Sequence, residues 1–168
     1  MKVRVLDTPG FADTCGIQQD HELHKNSIAT QVNEHLDSVT AVLILTNGTV
    51  PGVTAGTAYA LSTLSAILPQ ALAKNTAFLL TRVSSPLYQN FSGDTIPDVL
   101  KEAPQFLLDN PIALQGKYLK LKDARTMKNW KEEMRKTVTT GEERALEMLV
   151  HLFDWLDGLE RQPTMENC

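Results

Sequence analysis

The chain has 168 residues, 42% of them hydrophobic and 21% charged, with a formal net charge of −4, which is typical of one soluble globular domain. This mild negative charge gives no overall attraction to nucleic acid or to an acidic membrane. Two cysteines, Cys15 and Cys168, are too few for a disulfide scaffold. No apolar run approaches the roughly 20 residues of a membrane span. We therefore expect a cytoplasmic protein with no transmembrane segment and no nucleic-acid partner.

Short β-rich and apolar runs in the sequence predict the strands. Residues 3–6 are a short β-rich run that ends at Asp7-Thr8-Pro9-Gly10, where proline and glycine require a loop. Continuous apolar runs at 40–46, 76–83 and 105–108 predict strands that are covered on both faces, as in a parallel sheet. Alternation of these strands with helices predicts an α/β fold with an open sheet. In such sheets, ligands bind at the carboxyl ends of the strands.

Helices are predicted from apolar residues at helical spacing over 20–37 and 54–67, the second ending near Pro69, and a short helix runs from Pro97 to 103. Thr140-x-x-Glu143 is a capping box, which predicts the start of an amphipathic helix that ends near Gly158. The basic stretch 117–136 is predicted to be a solvated helical face. The stripe predicted to be buried on the last helix consists of Leu146, Leu149, Phe153 and Leu156.

The D-T-P-G turn after the first predicted strand is the motif that indicates chemistry. In nucleoside triphosphatases, an Asp at a strand end holds Mg²⁺, usually through water. The Gly of the turn donates its backbone N–H to the γ-phosphate, because only glycine allows so close an approach. The alternative interpretation is a simple turn that leads into a helix, and the preceding strand favours the nucleotide interpretation.

Four segments in order, VLDTPGFADTCG, TAVLILTNGTVPG, FLLTRVSSP and FLLDNP, resemble the immunity-associated (avirulence-induced) GTPases and their uncharacterised fungal relatives over residues 2–110. The resemblance implies a partial doubly wound, mostly parallel sheet of the P-loop GTPase type with a helical C-terminal extension. It implies a partial G domain at 1–115, the helical extension at 116–160 and a frayed tail at 161–168.

The same resemblance implies a site for GTP or GDP with Mg²⁺. Asp7 would face Mg²⁺ through water, and Gly10 would face the γ-phosphate. GTPases place an Asp in the guanine-specificity loop, where it accepts two hydrogen bonds from the base, and this sequence has Ser84 and Ser85 there. Asp109-Asn110 falls where the family positions an Asn against the base. The nucleotide-binding residues implied are Asp7, Thr8, Pro9, Gly10, Thr81, Arg82, Ser84, Asp109 and Asn110.

The phosphate-binding loop that the family requires, G-x-x-x-x-G-K-[ST], does not occur in the sequence. We therefore interpret the chain as an N-terminally truncated, GTP-binding, GTPase-like domain that lacks the P-loop and first switch and does not hydrolyse GTP alone. No catalytic residue is assigned.

A second interpretation is a non-catalytic interaction module with a G-domain-like shape. It would bind a protein partner or a second copy through the switch face or the C-terminal helix. A third interpretation, another α/β enzyme such as a hydrolase, needs a catalytic constellation, and the sequence has no G-x-S-x-G motif. His21 and His24 form H-x-x-H without further ligands at a matching spacing, so exposed helix residues are the preferred interpretation.

Overall fold

The computed structural model describes residues 3–8, 36–51, 61–62, 70–93 and 96–163. Its strands and α-helices in chain order are β1 (Ser38–Val39), β2 (Val42–Asn47), α1 (Gln70–Lys74), β3 (Thr76–Thr81), β4 (Gln105–Leu108), α2 (Pro111–Leu121), α3 (Lys131–Asp157) and β5 (Gln162–Pro163). Single 3₁₀ segments occupy Pro86–Tyr88, Asp98–Leu100 and Arg125–Trp130.

The main sheet has three parallel strands in the order β2-β3-β4. Val42 lies opposite Thr76, and Phe78 lies opposite Gln105. The central strand β3 is buried at every position but its last, which explains why its sequence is a continuous apolar run. All three strands that the apolar runs predict are thus confirmed, as is a mixed α/β fold with a parallel sheet and a C-terminal helix.

The two faces of β3 support two separate hydrophobic clusters, because successive residues of a strand point to opposite faces. Phe78 and Leu80 belong to the first cluster, whose other buried members are Leu61, Ala73, Phe91, Ile96 and Leu100. Ala77 and Leu79 belong to the second, with Phe106 of β4 and Leu152 of α3. The C-terminal helix α3 therefore covers one face of the sheet.

Helix α3 begins earlier than its sequence predicts. It runs for 27 residues from Lys131, so Thr140 lies in its interior and the predicted capping box is wrong. The first turn instead carries Glu132 and Glu133, whose negative charges favour a helix N-terminus. The predicted end is confirmed, since the Gly158 N–H donates to the carbonyl of Asp154 at 3.3 Å.

The predicted stripe on α3 is confirmed in part, because Leu149 and Leu156 are partly buried and pack against the second cluster. Leu146 and Phe153 are exposed, whereas Gly141, Ala145 and Leu152 are buried. The helix has two apolar stripes, and the one that contains Gly141 and Ala145 packs inward. The small side chains of Gly141 and Ala145 allow this part of the helix backbone to approach its neighbours closely.

The C-terminal segment contacts the residues that precede strand β2. Strand β5 pairs antiparallel with β1. The buried Asn75 side chain donates from Nδ2 to the carbonyl oxygens of Thr40 and Glu160, both at 2.8 Å. A frayed tail was predicted from residue 161, and Gln162 and Pro163 instead form a strand, while residues 164–168 lie outside the described part of the chain. The predicted boundary at 115/116 falls within α2.

Several other predicted elements differ in the structure. Residues 3–8 form neither helix nor strand, so the strand predicted at 3–6 is wrong. Val3 and Val5 are exposed there, and an isolated short strand has no neighbour to satisfy its backbone. Pro97 precedes a 3₁₀ turn rather than an α-helix that reaches 103. Helix α1, just after Pro69, was not predicted.

The remaining helix predictions fall largely outside the described residues. Of the stretch 54–67, Leu61 and Ser62 are described and helical. Of the stretch 20–37, only the last two residues are described, and they are not helical. Of the basic stretch 117–136, every lysine and arginine whose side chain is described is exposed or half-buried. No helix in the described ranges has the length and apolar character needed to cross a membrane.

Candidate functional site

Three loops meet at the carboxyl edge of the parallel sheet, one after each strand. Gly48 follows β2, and its N–H donates to the Thr81 carbonyl at 3.0 Å. The Thr81 hydroxyl donates to the Thr46 carbonyl at 3.1 Å. Asn90 ties a more distant part of the chain to the same edge, since its N–H donates to the Gly48 carbonyl at 2.9 Å. The loops after β2 and β3 are thus held by backbone bonds.

The loop after β3 turns sharply at Arg82, whose φ of 63° lies in the left-handed region that non-glycine residues seldom adopt. Arg82 is exposed and Val83 is buried. Ser84 is half-buried, and Ser85 caps the following 3₁₀ segment by accepting from the Leu87 N–H at 3.3 Å. The turn therefore places Val83 in the core and Ser84 at the sheet edge.

The loop after β4 leads directly into α2. Asn110 is the N-cap of α2, and its Oδ1 accepts from the Ala113 N–H at 2.9 Å. Asp109 is half-buried, and its Oδ1 accepts from the Asn110 N–H at 2.8 Å. No other hydrogen bond between described residues uses this carboxylate, so its Oδ2 is open to a ligand. Pro111 at the first helical position suits the helix start because it needs no N–H partner there.

A cavity of about 220 Å³ lies between these loops and α3. Its apolar walls come from Val83 and Leu107 in the sheet region and from Ala145 and Met148 on α3. Its polar lining consists of Ser84, Ser85, Asp109, Arg144 and Glu147. The arrangement combines an apolar slot with a few hydrogen-bonding groups, as small-molecule sites do.

Arg144 links α3 to the loop after β3. Its Nη1 donates to the Ser84 carbonyl at 3.3 Å. Glu147 is three residues further along the same helix, where side chains share a face, and both residues line the cavity. Neither residue could be predicted from the sequence, because their role depends on which face of α3 packs on the sheet.

The structure brings only some of the predicted site residues together. Ser84 and Asp109 line one cavity. Thr81 and Arg82 lie at the same edge without lining it, and the Asn110 side chain caps α2. Asp7 is exposed and Thr8 half-buried in a segment without regular structure. Pro9 and Gly10 lie outside the described residues.

The Mg²⁺ ion that the resemblance implies at Asp7 stays a prediction, because Pro9 and Gly10 of the same turn lie outside the described residues. Asp7 does not lie at a strand end, since residues 3–8 form no strand. Within the described ranges, no group of three or more His, Cys, Asp or Glu side chains could hold a metal ion. Proteins usually hold Mg²⁺ through one or two carboxylates, and waters and substrate phosphates complete its octahedral coordination. We assign no step to a metal.

Comparison with known proteins adds no further identification. No protein-family model matches the chain, and no curated protein or solved structure is significantly similar to it.

Proposed function

We propose that this protein binds a guanine nucleotide through its base, in the cavity between α3 and the loops after β3 and β4, and does not hydrolyse it. The observation that supports this most directly is that Ser84 and Asp109, from two separate loops, line one cavity at the carboxyl edge of a parallel sheet. Ligands of open α/β sheets bind at this edge. The strand order β2-β3-β4 is compatible with a partial sheet of the GTPase type.

The size of the cavity favours a base over a whole nucleotide. Its volume of about 220 Å³ is below the roughly 300–1,000 Å³ of sites that enclose drug-sized ligands. A planar heteroaromatic ring can lie between the apolar groups of Val83, Leu107 and Met148, with its polar edge toward Asp109. The ribose and phosphates then extend from the cavity into solvent.

The carboxylate of Asp109 favours guanine. Guanine presents N–H donors at N1 and N2 on one edge, and a carboxylate has two oxygens that accept in parallel. Adenine has an acceptor at N1 and leaves one carboxylate oxygen facing a lone pair. A serine hydroxyl cannot replace a carboxylate in a bidentate pair, so Ser84 alone would not select guanine. Asp109 supplies from the β4 loop the acceptor that the β3 loop lacks.

Binding without hydrolysis follows from the sequence itself. It contains no G-x-x-x-x-G-K-[ST] motif, and that motif supplies the backbone donors and the lysine that hold a triphosphate for attack. We therefore expect guanosine, GDP and GTP to bind with similar affinities. Removal of Mg²⁺ with a chelator should leave these affinities unchanged.

Isothermal titration of the full chain with guanosine, inosine and adenosine tests the proposal. We expect guanosine to bind best, inosine more weakly because it lacks the N2 amine, and adenosine least. Asp109→Asn should weaken guanosine binding by about tenfold or more, because a charged acceptor is replaced by a neutral one. The same variant should narrow the difference between guanosine and adenosine.

Asp123→Asn is the matched control, since it removes an exposed carboxylate in the turn after α2, away from the cavity. It should leave all three affinities unchanged. Equal affinity of the wild-type chain for guanosine and adenosine, or an Asp109→Asn variant that binds as the wild type does, would contradict the proposal.

A further inference from the structure

Helix α3 exposes a row of large apolar side chains on the side that does not pack on the sheet. Leu146 is 65% exposed, Val150 57% and Phe153 43%. Their spacing of four and then three residues places them in one row along the helix. We call this row the α3 outer face. A single exposed apolar residue is ordinary, but three in one row form a patch, and such patches mark interaction surfaces.

The α3 outer face is bordered by acidic residues. Glu143 lies one turn before Leu146, and Asp154 and Asp157 lie one turn after Val150 and Phe153. All three carboxylates are exposed. None of the ion pairs between described residues involves them. A partner for this face should therefore combine apolar side chains with positive charge.

Helix α2 presents a surface of that chemistry on the same chain. Ile112 is 79% exposed and Leu119 54%, and their spacing of seven places them in one row. Gly116 lies between them, and a Cβ built there meets nothing within 4 Å, which leaves a notch in the row. Lys120 lies one turn after Gly116 and borders the row; it is exposed and joins no ion pair between described residues. We call Ile112, Gly116 and Leu119 the α2 outer face.

We propose that the protein associates head to tail with a second copy, the α2 outer face of one copy packing on the α3 outer face of the next. Both rows are apolar, Lys120 beside one meets the acidic residues beside the other, and the notch at Gly116 can receive a bulky side chain. Complementary charge at the rim of an apolar contact favours this pairing over alternatives.

Pairing of two α3 outer faces is disfavoured by the same charges. Two α3 helices that meet antiparallel at Val150 would place Glu143 of one copy opposite Asp157 of the other. The unlike pairing is heterologous, so a dimer keeps one unused face of each kind, and association continues into rings or open chains. This self-association should increase with protein concentration and weaken at high salt.

Sedimentation velocity of the full chain over a range of concentrations tests the proposal with two variants. Ile112→Glu blocks the α2 outer face, and Val150→Glu blocks the α3 outer face. Each position is exposed, so both variants should fold, which circular dichroism checks. Each variant alone should associate at least about tenfold more weakly than the wild type, because a charge replaces an apolar contact.

An equimolar mixture of the two variants should form dimers and nothing larger, since each dimer contains one intact contact and two blocked faces. Leu87→Glu, the same kind of change at an exposed site outside both faces, should associate as the wild type does. A wild-type chain that stays monomeric at every concentration would overturn the proposal. So would an Ile112→Glu variant that dimerises alone, or a mixture of variants that remains monomeric.

Discussion

Gly48 lies closer to β3 than a residue with a side chain could. A Cβ built on it would clash with Val83 Cγ2 and would lie 2.9 Å from Leu80 Cβ. Two backbone hydrogen bonds hold it in place, one to the Thr81 carbonyl at 3.0 Å and one from the Asn90 N–H at 2.9 Å. The loop after β2 therefore cannot move away from β3 without breaking these bonds.

We expect Gly48→Ala to lower the free energy of unfolding by about 1–3 kcal/mol, the range typical of overpacking in a core. Urea denaturation measures it. Gly93→Ala is the control, because a Cβ there would meet Ile96 Cδ1 at an ordinary 3.9 Å, and it should change the unfolding free energy little. Equal effects of the two substitutions would show that the contact with Val83 does not limit residue 48.

Helices α2 and α3 show when a capping residue predicts the position at which a helix begins. Asn110 caps α2 through a hydrogen bond to the Ala113 N–H. Thr140 has the sequence context of a cap but lies inside α3. A capping motif signals a helix start only where the preceding residues leave the helical conformation, and residues 131–139 do not. The local pattern is the same in both situations, so the sequence could not distinguish them.

These two positions should respond oppositely to alanine. Asn110→Ala should lower the free energy of unfolding by about 1 kcal/mol, because it removes an N-cap acceptor. Thr140→Ala should leave it unchanged or raise it by about 0.5 kcal/mol, because alanine has the higher helix propensity. Thermal and urea denaturation monitored by circular dichroism measure both. A loss of stability in Thr140→Ala similar to that in Asn110→Ala would indicate that Thr140 does cap a helix.

The strands were predictable, whereas the orientation of the C-terminal helix was not. Residues 76–81 form a continuous apolar run that predicts a buried strand. The run is apolar because β3 lies between two other strands and both of its faces are covered. Helix α3 has two apolar rows, and the choice between Ala145 and Leu146 as the inward residue depends on how closely the helix approaches the sheet. Hydrophobic periodicity predicts both apolar rows of α3 but does not indicate which of them is buried.

For the molecule as a whole, topology accounts for part of the candidate site. Parallel strands bring their carboxyl ends to one edge, so the approach of Ser84 to Asp109 was predictable from the strands. The wall that completes the cavity comes from Arg144 and its neighbours on α3, and this depends on the helix orientation just described. The turn at Asp7 was predicted at the same edge from a strand that is not present.

The two clusters on opposite faces of β3 should behave as separate units in double-mutant cycles. Leu79 and Leu152 belong to one cluster and Leu80 to the other. Each leucine-to-alanine change should lower the unfolding free energy by about 2–5 kcal/mol. Because Leu80 and Leu152 are separated by the sheet, their effects should add to within about 0.5 kcal/mol. Leu79 and Leu152 share a cluster, so their double variant should depart from additivity by more than that. Urea denaturation of the five variants measures both cycles, and equal coupling in the two cycles would mean that the sheet does not divide the core.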